Sequence, residues 1–271
     1  MTAVVGGVGH YVPFDGGCLL IGRDVGVVPV HAHYAIQVAF GAEPGLCFRP
    51  ADDAPWTAYD GAVIASRQPH GMDGTRTSAN AVLFVEPETR AGRAIAERYL
   101  EAGIAALPDG CLADVRPALF AAWRARSGPA VAAAAARVVG ALAGGVEPSV
   151  VSDPRILRAV AWVNAHLDAP LTLEEVAAEA CLSPSRFRHL FVAETGMALR
   201  PYILWRRFLH VWALVSGGAS LSQAAHAAGF ADAAHLSRTS RRIFGFPPSA
   251  MQMAEPLRVG HDTARAAGIE I

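Results

Sequence analysis

An eleven-residue pattern is echoed within the second half of the chain. Leu173-Glu174-Glu175-Val176-Ala177 through Cys181-Leu182-Ser183 returns 48 positions later as Leu221-Ser222-Gln223-Ala224-Ala225 through Gly229-Phe230-Ala231. In each copy a short apolar segment meets a tight turn and then a longer segment with polar, Arg-bearing outer positions, the layout of a helix-turn-helix. Two helices crossing steeply bring their backbones together, and the small residues Ala177 and Ala225 hold the equivalent places before the turn. Gly229 stands where the turn calls for positive φ. Cys181 holds the matching place in the first copy, where a side chain is less favourable. Caps recur at every expected helix start: Asp153-Pro154, Thr172 with Glu175, Ser183-Pro184, Ser220 with Gln223, and Asp232. The spacing predicts an all-helical domain of about seven helices.

Up to Glu86 the texture is different. Short apolar runs, Cys18 to Ile21, Tyr34 to Phe40, Ala62 to Ala65 and Ala81 to Val85, alternate with Gly, Pro and other turn residues, which predicts strands in a barrel or sandwich. From Pro87 to Gly145 long Ala-rich stretches carry Arg and Glu at helical spacing, and the Gly144-Gly145-Val146-Glu147-Pro148-Ser149 stretch reads as a linker. The expected organisation is a barrel at 1–86, a helical connector at 87–145, a linker at 146–151, a double helix-turn-helix domain at 152–258 and a tail at 259–271. With 271 residues and 52% hydrophobic character, one large or two modest folded domains are expected, and a disordered chain is excluded.

The charge balance, 23 basic against 24 acidic residues, excludes a protein that coats nucleic acid by bulk charge. The charge is segregated, however: residues 152–258 carry +3 and the remainder −4, with every basic residue an Arg. No window reaches the roughly 18 uninterrupted apolar residues of a spanning helix, and no basic-then-apolar leader opens the chain, so a soluble, cytoplasmic protein with no membrane partner is expected. Cys18, Cys47, Cys111 and Cys181 are scattered, without the paired spacing of a zinc knuckle, and read as reduced thiols.

The segment Leu182-Ser183-Pro184-Ser185-Arg186-Phe187-Arg188-His189-Leu190-Phe191, then Thr195-Gly196, Gly229-Phe230, His235-Leu236-Ser237-Arg238, Arg241-Arg242, Phe244-Gly245 and Pro247-Pro248 resembles the DNA-binding domain of AraC-type (AraC/XylS family) transcriptional regulators. The resemblance covers Ser152 to Ala254, including a long helix from Tyr202 to Val215 that joins the two units. It departs at three places: Ser240 stands where a core Phe is usual, Met251 where a Tyr is usual and His189 where an Arg is usual.

The resemblance implies a first recognition helix presenting Ser185, Arg186, Arg188 and His189 to double-stranded promoter DNA, and a second presenting Ala233, Ala234, His235, Ser237 and Arg238, with Arg241 nearby. Arg188 and Arg238 are the best base readers, since a guanidinium donates two hydrogen bonds to guanine O6 and N7. Arg241, Arg242, Arg206 and Arg207 are expected on phosphates or in helix-surface roles.

In the strand-rich part, His31-Ala32-His33 is followed by Gln37, and His70 comes later. Alternation along a strand puts His31 and His33 on one face. With a third imidazole they are candidate ligands for a divalent metal, and with Gln37 a candidate effector-binding set. The pattern is similar to the first motif of the cupin barrel, with Gln37 in the place of its Glu, and the fold implied is α+β: a cupin-like sensor barrel with trailing helices, then the two helix-turn-helix units. Metal binding, a polar effector pocket and a purely structural role all stay open for these histidines.

The function expected is regulation of transcription by a barrel that senses a small molecule or a metal, with RNA polymerase as a further partner of an activator. The alternative is a metal-dependent cupin enzyme with an accessory helical domain; two helix-turn-helix units and the absence of a nucleophile motif or phosphate loop favour the non-enzyme. The faces carrying Ile95, Tyr99, Leu100, Val115, Leu119 and Trp123 serve either the barrel core or a homodimer.

Overall fold

The computed structural model describes residues 7–101, 103–145, 153–254 and 257. Two sheets come first. The chain runs β1 (Gly7–Phe14), β2 (Gly17–Arg23), β3 (Val27–His31), β4 (Ile36–Gly41), β5 (Leu46–Arg49), β6 (Thr57–Tyr59), β7 (Gly61–Ile64), β8 (His70–Asp73) and β9 (Asn80–Val85), then α1 (Arg90–Tyr99), β10 (Ile104–Ala106), α2 (Val115–Arg124) and α3 (Gly128–Ala143). The second half is α4 (Pro154–Ala165), α5 (Leu173–Glu179), α6 (Pro184–Thr195), α7 (Leu199–Ser216), α8 (Leu221–Ala227), α9 (Ala233–Phe244), a 3-10 turn at Pro248–Ala250 and β11 (Met251–Met253). The expected linker at 146–151 and tail at 259–271 lie outside the described residues.

The four strands expected from apolar runs are β2, β4, β7 and β9, and all belong to a seven-stranded sheet ordered β10-β7-β4-β9-β2-β1-β11. Their runs are continuously apolar because both faces are covered. Leu19, Ile21, Val38, Phe40, Leu83 and Val85 point to one side and pack on α1, α2 and α3. On the other side Ala39, Ala62 and Ile64 meet the four-stranded sheet β3-β8-β5-β6. That smaller sheet covers only part of this inner face, and Cys18, Leu20 and Phe84 pack against the helical domain instead.

One boundary therefore shifts. The sheet does not end at residue 86, because β10 pairs with β7 and β11 returns from the far end of the chain to pair parallel with β1. Of the residues that serve either the barrel or a second copy, Ile95, Val115 and Leu119 are buried against the barrel, while Tyr99, Leu100 and Trp123 are half-buried beside them.

The helical domain follows its caps. Thr172 with Glu175 and Ser220 with Gln223 each form a complete capping box, while Asp153, Ser183 and Asp232 accept from their first-turn N–H groups. The two turns are built alike. Leu182 N–H donates to Ala177 O at 3.0 Å, and Phe230 N–H to Ala225 O at 2.9 Å, over alanines that are fully buried. Cys181 and Gly229 both take the left-handed conformation, at φ 53° and 70°. Ser240, where an aromatic was expected, is fully buried and its Oγ donates to Phe246 O at 2.7 Å.

Candidate functional site

Both second helices present their polar residues outward. On α6, Ser185, Arg186, Arg188 and His189 are exposed, while Phe187 and Phe191 anchor the opposite face in the core. On α9, Ala234, His235, Arg238 and Arg241 are exposed, Ala233 and Ser237 are half-buried, and Leu236, Thr239, Ser240 and Phe244 face inward. His235 is partly committed, with its ring edge-on to Phe230 at 5.5 Å and its Nδ1 accepting from Ala231 N–H. The exposed arginines are the groups that neutralise phosphates or read guanine edges.

Arg206 and Arg207 lie elsewhere. Arg207 donates Nε–H to Leu167 O at 2.9 Å and an Nη2 hydrogen to Ala169 O at 2.8 Å, closing the loop after α4. Arg206 donates to Asn164 at 2.9 Å and pairs with Glu86 at 3.5 Å. Their expected phosphate or surface roles are replaced by structural ones, because α7 is buried on most of its circumference.

Glu86 belongs to the seam between the halves, where Trp205 Nε1–H also donates to it at 3.4 Å. Beside it Glu88 is buried, and burial followed by the Glu86 charge pushes its carboxyl up to about 8. The folded state therefore holds a proton that the unfolded chain, with an ordinary value of 4.5, has released. Stability from this group falls as pH rises from about 4.5 to about 8. Glu88→Gln is expected to abolish that fall and to exceed the wild type by roughly 1 to 3 kcal/mol at pH 8. Urea midpoints at pH 5 and pH 8 check this; parallel shifts in the two proteins contradict it.

Between the two sheets His31, His33, His70 and Gln37 come together. Pro29 cannot donate to a ladder, and the edge strand β3 shifts register between Val28 and His31, so that His31 pairs opposite His70 of β8. His33 lies past the end of β3, so the pair converges through the turn into β4 and not by alternation along one strand. Ring centroids are 4.4 Å apart for His31–His70, 5.0 Å for His33–His70 and 5.6 Å for His31–His33. Burial first, then the neighbouring rings, lowers His31 to about 3 and His70 to about 2, and burial also lowers His33. Next to them a cavity of about 70 Å³ is lined by His31, Gln37, Asn80 and Phe84 of the barrel and by Phe244 and Phe246 from the end of α9.

Comparison with known proteins bears on both halves. A family described as helix-turn-helix domain matches residues 176–254. The HTH-type transcriptional regulator GbdR of Pseudomonas aeruginosa is 27% identical over 107 residues, 39% of this chain and 29% of GbdR. The multiple antibiotic resistance protein MarA of Escherichia coli K12 is 29% identical over 93 residues, 34% of this chain and 73% of MarA. Residues 176–254 thus carry a helix-turn-helix domain of the AraC type.

The chain spans less than a third of the length of GbdR. The whole two-domain fold of this chain is similar to that of ToxT from Vibrio cholerae O395, with a TM-score of 0.53 at 10% identity, covering 86% of this chain and 96% of ToxT. The same ToxT has been solved bound to (E)-4-(8-methylnaphthalen-1-yl)but-3-enoic acid, with a TM-score of 0.52 at 12% identity, covering 85% of this chain and 95% of that one.

The seam is what sequence reasoning missed. Phe244 and Phe246 lie beside His33 and His31, β11 pairs with β1, and no local pattern announces a strand that pairs with a partner at the other end of the chain.

Proposed function

We propose that this protein is a sequence-specific DNA-binding transcriptional regulator that reads double-stranded promoter DNA through α6 and α9 and senses a small molecule or a metal in its barrel. The observation that carries the reading is the duplicated unit, whose capped second helices both leave their Arg-bearing faces in solvent while the barrel meets the far end of α9 at Phe244 and Gly245. The net charge of +3 on residues 152–258 supports it, since phosphate neutralisation supplies most non-specific affinity. The acid-bound form of ToxT supports the small-molecule half of the proposal. The sensing residues in this reading are His31, His33, Gln37 and His70.

No helix among the described residues is long and apolar enough to cross a membrane. The cytoplasm is the compartment where such a regulator meets its promoter, with RNA polymerase as a partner in the activating case. A homodimer, if formed, uses a surface other than the faces of α1–α3 that pack on the barrel.

Arg238→Ala is expected to weaken binding to the preferred site by about 1 to 3 kcal/mol and to relax preference at one base pair. Titration of wild type and variant against the site and its single-base changes checks this. Equal weakening on every sequence puts Arg238 on a phosphate, and failure of the wild-type chain to prefer any sequence at moderate salt overturns the regulator reading.

A further inference from the structure

Each of the three clustered imidazoles spends its Nδ1–H on a backbone carbonyl: His31 on Pro29, His33 on Ala35 and His70 on Gln68, at 2.9 Å in every case. A neutral ring tied in this way presents a bare lone pair at Nε2, and a fixed outer N–H is the support that metal-ligating histidines use. One nitrogen of each ring lies within 4.8 Å of those of the other two. Zinc–nitrogen bonds of about 2.0 to 2.1 Å at tetrahedral angles need donors about 3.3 Å apart, a gap that modest side-chain rotation closes. Among the described residues, no other group of three His, Cys, Asp or Glu side chains is arranged to hold an ion.

Gln37 explains how the cluster is satisfied without an ion. Its side-chain carbonyl position lies 2.9 Å from His33 Nε2 and 3.2 Å from His70 Nε2. A carbonyl oxygen facing two bare lone pairs is repelled, so the contact is favourable only with the amide turned, its NH₂ donating one hydrogen to each ring. An ion replaces those two donors, and the amide turns back to offer its oxygen.

The neighbouring cavity of about 70 Å³ is lined mainly by apolar side chains, with His31, Gln37 and Asn80 as its polar members, and it is smaller than the roughly 300 Å³ at which pockets for organic effectors start.

We propose that His31, His33 and His70 bind a divalent transition metal ion of the zinc class through their Nε2 atoms, with the Gln37 oxygen as fourth ligand. This rests on the sensor reading above and names its effector. Imidazole donors select zinc, nickel, copper or iron over magnesium and calcium. The site also touches the DNA-reading half: His31 lies against Gly245, the C-cap of α9, where a Cβ would meet its Nδ1 at 2.9 Å, and His33 faces Phe244 with centroids 6.4 Å apart. A shift of His31 toward an ion is therefore felt at the end of the second reading helix.

The test is titration of Co²⁺ into metal-stripped full-length protein. One equivalent is expected to give visible ligand-field bands, displaced by Zn²⁺ and unaffected by millimolar Mg²⁺. His70→Ala is expected to weaken Co²⁺ binding about 100-fold or more, and Gln37→Glu, which supplies a carboxylate, to tighten it about tenfold or more. The Gln37→Glu result stands even where His70→Ala fails to fold.

Absence of both bands and Zn²⁺ retention in the wild type overturns the proposal, as does unchanged affinity in Gln37→Glu. DNA binding on the same samples separates the two readings. Sequence-specific binding without metal uptake sinks the metal site and leaves the regulator; metal uptake without sequence-specific binding does the reverse.

Discussion

Phe244→Ala is expected to cost about 3 to 5 kcal/mol, the range for removing a fully enclosed aromatic. Phe244 is 2% exposed and stands where two cores meet. Its ring lies 5.1 Å from Phe208, 6.2 Å from Trp205 and 6.3 Å from Trp212 in the helical domain, and 5.8 Å from Phe84 of the barrel. The surrounding rings belong to different elements and cannot all collapse into the void, so the loss falls on the hold between barrel and helices as well as on the second unit. Urea unfolding followed by circular dichroism measures it. A loss below about 1 kcal/mol contradicts the packing described.

Gly229→Ala is expected to destabilise by about 2 to 5 kcal/mol, combining the cost of a side chain at left-handed φ with a steric one. A Cβ at this place would lie 2.3 Å from Leu167 O and 2.7 Å from Arg207 Nη2. Arg207 is the side chain that closes the loop after α4, so relief of the clash breaks its bonds to Leu167 and Ala169. The first unit shows the contrast: Cys181 holds the same backbone conformation at φ 53°, and its side chain points into solvent. A change within about 0.5 kcal/mol in the urea midpoint places the turn at Gly229 among ordinary surface positions and contradicts this geometry.

The helical half was legible because its signals are local. A cap, a turn residue and an apolar helical face all lie within a dozen residues, so Thr172 with Glu175, Ser220 with Gln223 and the Cys181/Gly229 pair could be read directly. In the barrel the long runs β2, β4, β7 and β9 were legible for the same reason. The short strands β6, β10 and β11, at three residues each, carry no readable period.

Among the histidines, the residue types were legible and their geometry only in part. His31 and His33 meet because Pro29 shifts the edge strand and the chain turns, which period-two alternation does not describe. Arg206 shows the reverse difficulty. Its sequence neighbourhood reads as a basic helix surface, while the Glu86 that binds it lies 120 residues away.

The central claim is that two duplicated units read one stretch of DNA. Selection of preferred sites from random duplexes by the full-length protein, followed by a footprint on the selected site, tests it most directly. One sequence motif is expected, with two protected major-groove segments about 10 to 10.5 base pairs apart, and with preference relaxed at one base pair of the second segment in Arg238→Ala. A pool that shows no enriched motif, or a footprint confined to a single groove, contradicts it.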